Sequence, residues 1–130
     1  MAELRGTGEL HKDKTTARVN TGAATTERLG CVLAAEPNLV ALASSGAVPI
    51  FGVALWTETP DNPVTVIRSG DVLVVAGAAV AVNAPLMMDG AGKFITCTSG
   101  NHAVGRALTS AAALNDLFLA EIYESGYILP

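Results

Sequence analysis

The sequence predicts an all-β fold, a mostly antiparallel small barrel- or sandwich-like domain carrying an extended N-terminal arm. Three observations carry this. From Ser69 to Leu108, apolar runs of four to six residues alternate with clusters of Gly, Asn, Asp and Pro. Such residues supply positive or preset φ between short pleated strands. No run is long enough, or 3.6-periodic enough, to define a helix. The charges are unevenly placed: nine of the 20 lie in the first 28 residues. The chain therefore divides into an arm, residues 1–28, and a β-rich domain, residues 29–130.

The arm is polar and Gly-containing, with Leu4, Leu10 and Val19 as its dispersed large apolar residues. It cannot bury enough apolar surface to offset its ordering entropy, so alone it is expected to be disordered or weakly extended. Fully extended it would span roughly 90 Å at about 3.3 Å per residue. Arg5, Lys12, Lys14, Arg18 and Arg28 outweigh its four acidic residues, whereas residues 29–130 carry three basic and eight acidic residues.

The folded part is expected to begin near Leu29, separable from the arm. Residues 31–35 read as a first strand, 36–38 as a turn and 39–42 as a second strand. A turn at 44–46 leads to a strand over 49–57, with Gly52 as a bulge position. Residues 58–63 form a Pro-rich loop, and 64–68 alternate as a strand. One turn form then recurs: Ser69-Gly70-Asp71-Val72-Leu73, Asn83-Ala84-Pro85-Leu86-Met87 and Leu114-Asn115-Asp116-Leu117-Phe118, with a looser copy at Ser45-Gly46-Ala47-Val48-Pro49-Ile50. Each reads as a tight turn launching a strand, at spacings too irregular for a solenoid repeat. Residues 107–114 read as strand and turn, with one helical turn over 110–114 as the alternative. Residues 117–123 read as a strand and 124–130 as a short tail.

Several function classes lose support. The longest uncharged apolar runs, 46–56 and 72–82, have 11 residues each, against about 20 for a membrane-spanning helix. The N-terminus has no apolar core of a secretory signal. Cys31 and Cys97 sit in apolar surroundings and read as buried free thiols of a reducing compartment, a mutual disulfide being the alternative. Asp89-Gly90-Ala91-Gly92-Lys93 fails the phosphate-loop pattern, because Met87 stands where the first Gly is needed and Phe94 follows the Lys; it reads as a hairpin turn. His11 and His102 lack partners at metal-ligand spacing and read as surface residues. No Gly-x-Ser-x-Gly elbow occurs, and the carboxylates form no recognisable acid/base couple. An acidic folded part disfavours nucleic acid. Sugar stacking would fall to Trp56, Tyr123 or Tyr127, with Trp56 otherwise a core or interface residue.

The run from Ala76 to Lys93, holding Asn83-Ala84-Pro85-Leu86-Met87-Met88-Asp89, followed by Val104-Gly105-Arg106-Ala107-Leu108 and by the strand from Asn115 to Ile122, resembles the small capsid cement, or decoration, proteins of tailed bacteriophages. The resemblance spans roughly residues 30–123 and departs at Asn83-Ala84, where Gly-Asp is usual. It implies a β-rich homotrimer on the outer surface of the virion capsid, bound to a major capsid protein of HK97-like fold and fastening capsomers after the shell expands. It implies assembly in the host cytoplasm, and no catalysis, cofactor, nucleic acid or membrane. With it, the arm becomes a capsid-binding segment through Leu4, Arg5, Leu10, Lys12, Lys14, Arg18 and Val19, and Trp56 an interface candidate. Alternatives are a ligand- or carbohydrate-binding β-barrel module and a small hydrolase using a carboxylate such as Asp71 or Asp89; neither accounts for the arm.

Overall fold

The computed structural model describes residues 15–21, 26–33, 39–43, 46, 49–58 and 62–130, with 15–21, 124 and 125 as backbone alone. Among these residues there is no helix, and nine strands occur. They are β1 (Thr15–Thr21), β2 (Gly30–Leu33), β3 (Leu39–Leu42), β4 (Gly52–Ala54), β5 (Pro63–Val75), β6 (Pro85–Met88), β7 (Phe94–Thr96), β8 (His102–Ala107) and β9 (Leu117–Ile128). The sheet order is β1-β3-β2-β4-β5-β9-β8-β6-β7, and a further β1–β5 pairing curls the first half back onto β5. All pairings between strands are antiparallel except β1–β3.

β5 is the hinge of the architecture. Residues 63–69 pair with β1, and Val66 and Ile67 also pair with β4. Residues 70–75 pair instead with β9. The handover falls at Gly70, whose φ is +103°, a conformation that a side chain would strain. Ser69-Gly70-Asp71 is therefore not the turn that its composition suggests. The chain changes ladder partners there but stays extended, because both flanks are held by ladders.

The two halves bury their side chains differently. In the first half Val53 and Ala54, like Val66 and Ile67, are consecutive and all buried. That sheet is therefore covered on both faces. Cys31, Val40, Ala54, Val64 and Val66 form a small cluster on one side. Ile50, Val53 and Ile67 join the main core on the other, with Val72, Val74, Leu86, Met88, Phe94 and Phe118. Backbone bonds tie the halves: Gly30 N donates to Gly92 O at 2.9 Å, and Val75 N to Arg28 O at 3.2 Å.

Two of the recurring turns perform as their residues suggest. Asn83 and Asn115 adopt φ of 70° and 72° immediately before β6 and β9, a left-handed conformation that Asn tolerates. The Asp89 turn joins β6 to β7, and its Oδ1 accepts hydrogen bonds from Ala91 N and Lys93 N at 2.8 and 2.9 Å.

Several elements differ from expectation. The strand over 49–57 contracts to β4, and Gly52 is no bulge: it pairs with Cys31 without a register shift. A Cβ there would collide with Val66 Cγ1, so close approach of β5 explains the glycine. Of the looser turn copy, Pro49 and Ile50 are not in a strand. Residues 110–114 form neither strand nor helix. Ala111 makes an isolated bridge to Val80, and Asp116 Oδ2 accepts from Ala112 N and Ala113 N at 3.0 Å, which satisfies the loop without either ladder. The C-terminal tail is mostly strand, because β9 continues to Ile128 and pairs with His102 and Ala103. His102 is consequently half-buried at the start of β8 rather than a surface residue. Finally, β1 lies within the arm and is paired with β5 across six residues.

Candidate interaction surface

Leu4, Arg5, Leu10, Lys12 and Lys14 of the expected capsid-binding arm, and His11, lie outside the described residues. Arg18 and Val19 lie in β1, in register with Thr65 and Val64. The arm's root is thus bonded into the sheet through its backbone. Trp56 follows β4, at the edge of the small cluster formed by Cys31, Val40, Ala54, Val64 and Val66. It is half-buried, and its Nε1 donates to Glu58 Oε1 at 3.1 Å. The structure places Tyr123 and Tyr127 on β9, apart from Trp56 in the sheet order.

A surface that no sequence motif marks lies on the outward side of β5, β9 and β8. Inward-facing Phe118, Ala120 and Ile122 alternate with Leu117, Leu119, Glu121 and Tyr123. Likewise Val72 and Val74 alternate with Asp71, Leu73 and Val75. The register sets Val75 beside Leu117, Leu73 beside Leu119 and Asp71 beside Glu121. Across the next strand Glu121 pairs with Arg106, whose Nε lies 2.8 Å from Glu121 Oε1. That hydrogen bond, then the carboxylate's charge, raises the Arg106 pKa further.

At the end of this face β9 is irregular. Ala103 opposes Tyr127 while Gly105 opposes Ile122, so residues 123–126 bulge opposite the single Val104. A bulge redirects side chains. Here Tyr123 and Tyr127 meet with ring centroids 6.3 Å apart and planes at 32°. Desolvation, and then the Glu121 charge, raise the Tyr123 pKa. The sequence did carry a signal for this face: Val72-Leu73-Val74-Val75 and Leu117-Phe118-Leu119-Ala120 are continuous apolar runs where a sheet with one solvated face should alternate.

Both cysteines are free and buried. Burial pushes the Cys31 thiol from its ordinary 9.0 to about 11, against a lowering hydrogen bond from the Ala54 backbone. Burial also raises Cys97. Such thiols are poor nucleophiles and poor metal ligands. Among the described residues no three His, Cys, Asp or Glu side chains converge on a metal-sized site, and no helix is long and apolar enough to cross a membrane.

Comparison with known proteins supplies the family. No curated protein sequence matches the chain. Among solved structures, the chain is similar to the N base of head fiber gp8.5 of bacteriophage phi29, with a TM-score of 0.70 at 14% identity, over 86% of this chain and 96% of that one. At that identity the likeness concerns the fold alone. The family model for phage cement protein matches residues 10–122, from within the arm through most of β9. On that match the chain belongs to the phage cement protein family, whose members are capsid-associated structural proteins of the virion.

Proposed function

We propose that the protein is a homotrimeric cement that binds the outer surface of a shell of HK97-like major capsid protein and stabilises the expanded head. The observation that carries this reading is the family match over residues 10–122, which includes part of the arm as well as the sheet. The six-residue pairing of β1 with β5 supports the arm's role, because it fixes the arm's root to the domain. Residues 1–14 then extend from that root to the shell. Leu4 and Leu10 seat in shallow pockets, while the main chain adds to an exposed sheet edge of a capsid subunit. Arg5, Lys12 and Lys14 meet acidic groups and set specificity more than affinity. Arg18 and Val19 form the junction between arm and shell contact, and Trp56 lies at a capsid-facing edge.

One arm binds weakly, since ordering it costs about 1–2 kcal/mol per residue in backbone entropy. Three arms on one trimer raise the effective concentration of each, and avidity can exceed single-arm affinity by roughly 10² to 10⁴. The test is co-sedimentation with expanded and unexpanded heads lacking the protein. The full chain should sediment with expanded heads and the chain lacking residues 2–14 should not. Equal occupancy of both forms removes the arm from the interface, and failure of the full chain to sediment removes the cement reading itself.

A further inference from the structure

We propose that the outward face of β5, β9 and β8 is the contact between copies, with three such sheets facing a common three-fold axis and Asp71 of each copy meeting Arg106 of the next. This rests on the homotrimer reading above and assigns its interface.

The first argument is patterning. An antiparallel sheet with one wet face alternates apolar and polar residues. Here two successive layers of the outward face are apolar on both strands: Val75 with Leu117, and Leu73 with Leu119. Leu117 is 57% exposed in the single chain, and so is Leu114 on the turn that leads into β9. Residues of this kind, grouped on one face, mark an interaction site.

The second argument selects the occupant. Below the apolar layers runs one charged row, Asp71 on β5, Glu121 on β9 and Arg106 on β8. Asp71 stands directly opposite Glu121, a like-charge pair that costs stability, while Arg106 engages Glu121 from the other side. The row is acidic at one end and basic at the other. A heterologous contact repeated by rotation sets the β8 side of one sheet beside the β5 side of the next and closes into a ring. Each Arg106 then bridges its own Glu121 and the neighbour's Asp71, so the row complements a second copy of itself. The apolar layers enclose the axis above it.

Within one chain β9 separates β5 from β8. Residues 71 and 106 are therefore about 9–10 Å apart, beyond the reach of a disulfide, which needs Cα atoms within about 7 Å. The combined variant Asp71→Cys with Arg106→Cys can thus cross-link only between copies, and the native cysteines are buried. Mild oxidation should give a band at three times the chain mass on denaturing electrophoresis, and neither single variant should. Leu119→Glu should lower the mass seen by light scattering threefold with the β-type circular dichroism retained; if that variant does not fold, the cross-link decides alone. A wild-type trimer in which the paired cysteines stay unlinked overturns this interface while leaving the trimer intact. A ladder that stops at the dimer overturns the ring. A monomeric wild type overturns both this inference and the trimer.

Discussion

The two halves of the sheet reach stability by different routes. The first, β1 to β4 with residues 63–69 of β5, consists mostly of short strands that are covered on both faces by small side chains such as Val40, Ala54 and Val66. It closes only because β1, a piece of the arm, pairs with both β3 and β5. The second half is built from β5, β9, β8, β6 and β7, has the large buried side chains Phe94 and Phe118, and leaves one apolar face outward. A closed sheet needs no partner, whereas an open one that is apolar on both faces does. The difference teaches that the root of the arm completes the fold, whereas the outward face is left for the contact between copies proposed above.

The sharpest way to break that comparison is to cut the arm at two places. Deleting residues 2–28 removes β1 and its six pairs with β5. The loss should be at least about 5 kcal/mol, comparable to the whole stability of a small domain, so the urea transition should broaden or vanish. Deleting residues 2–14 leaves β1 in place, and its transition should stay within about 1 kcal/mol of the full chain. Equal behaviour of the two deletions would show that β1 is dispensable.

The next largest effect compares the cores. Phe94 is fully buried in the main core, and Phe94→Ala should cost about 3–5 kcal/mol. Val40, equally buried in the small cluster, loses fewer atoms in Val40→Ala, and the cost should be about 2 kcal/mol. Chemical denaturation of both variants checks the ranking.

Alkaline pH should load the first half most. Folding raises the Cys31 thiol from 9.0 to about 11, so the native state holds that proton more tightly than the unfolded chain. This contribution is complete below about pH 9 and is lost as the pH rises to about 11, by about 2–3 kcal/mol in total. Cys97 and Tyr123 are shifted in the same direction. Cys31→Ala should therefore flatten, without abolishing, the fall of stability between those limits, as read from melts at stepped pH.

The smallest effect belongs to the Arg106–Glu121 pair, both of whose side chains are largely exposed at 46% and 38%. Exposed pairs contribute little to folding. In the chain kept monomeric by Leu119→Glu, Arg106→Ala should leave the melting temperature nearly unchanged. In the trimer the same substitution should raise the dissociation constant between copies, measured by analytical ultracentrifugation. That split separates a folding role from an assembly role.

Much of this molecule was legible locally. The all-β class, the hairpin at Asp89, the turns at Asn83 and Asn115 and the strands 39–42 and 117–123 follow from turn chemistry and short apolar runs, which act over a few residues. So does the burial of both thiols. What needed the tertiary structure were features whose cause lies far along the chain. Gly70 reads as a turn, yet it sits inside one strand because β1 and β4 hold its front and β9 its back. Gly52 reads as a bulge, yet it is a close approach to Val66. The segment 124–130 reads as a tail, yet the β9 bulge realigns it with β8. Thr15–Thr21, too polar to fold alone, becomes a strand because β5 and β3 offer ladders on either side of it. Sequence by itself determined where the chain can turn and which runs can be pleated, since those depend on each residue's own φ preference and side chain. Only the tertiary structure decided which turns stay extended, which tails pair and which apolar face is left outward, since each is a competition between partners that the local sequence does not contain.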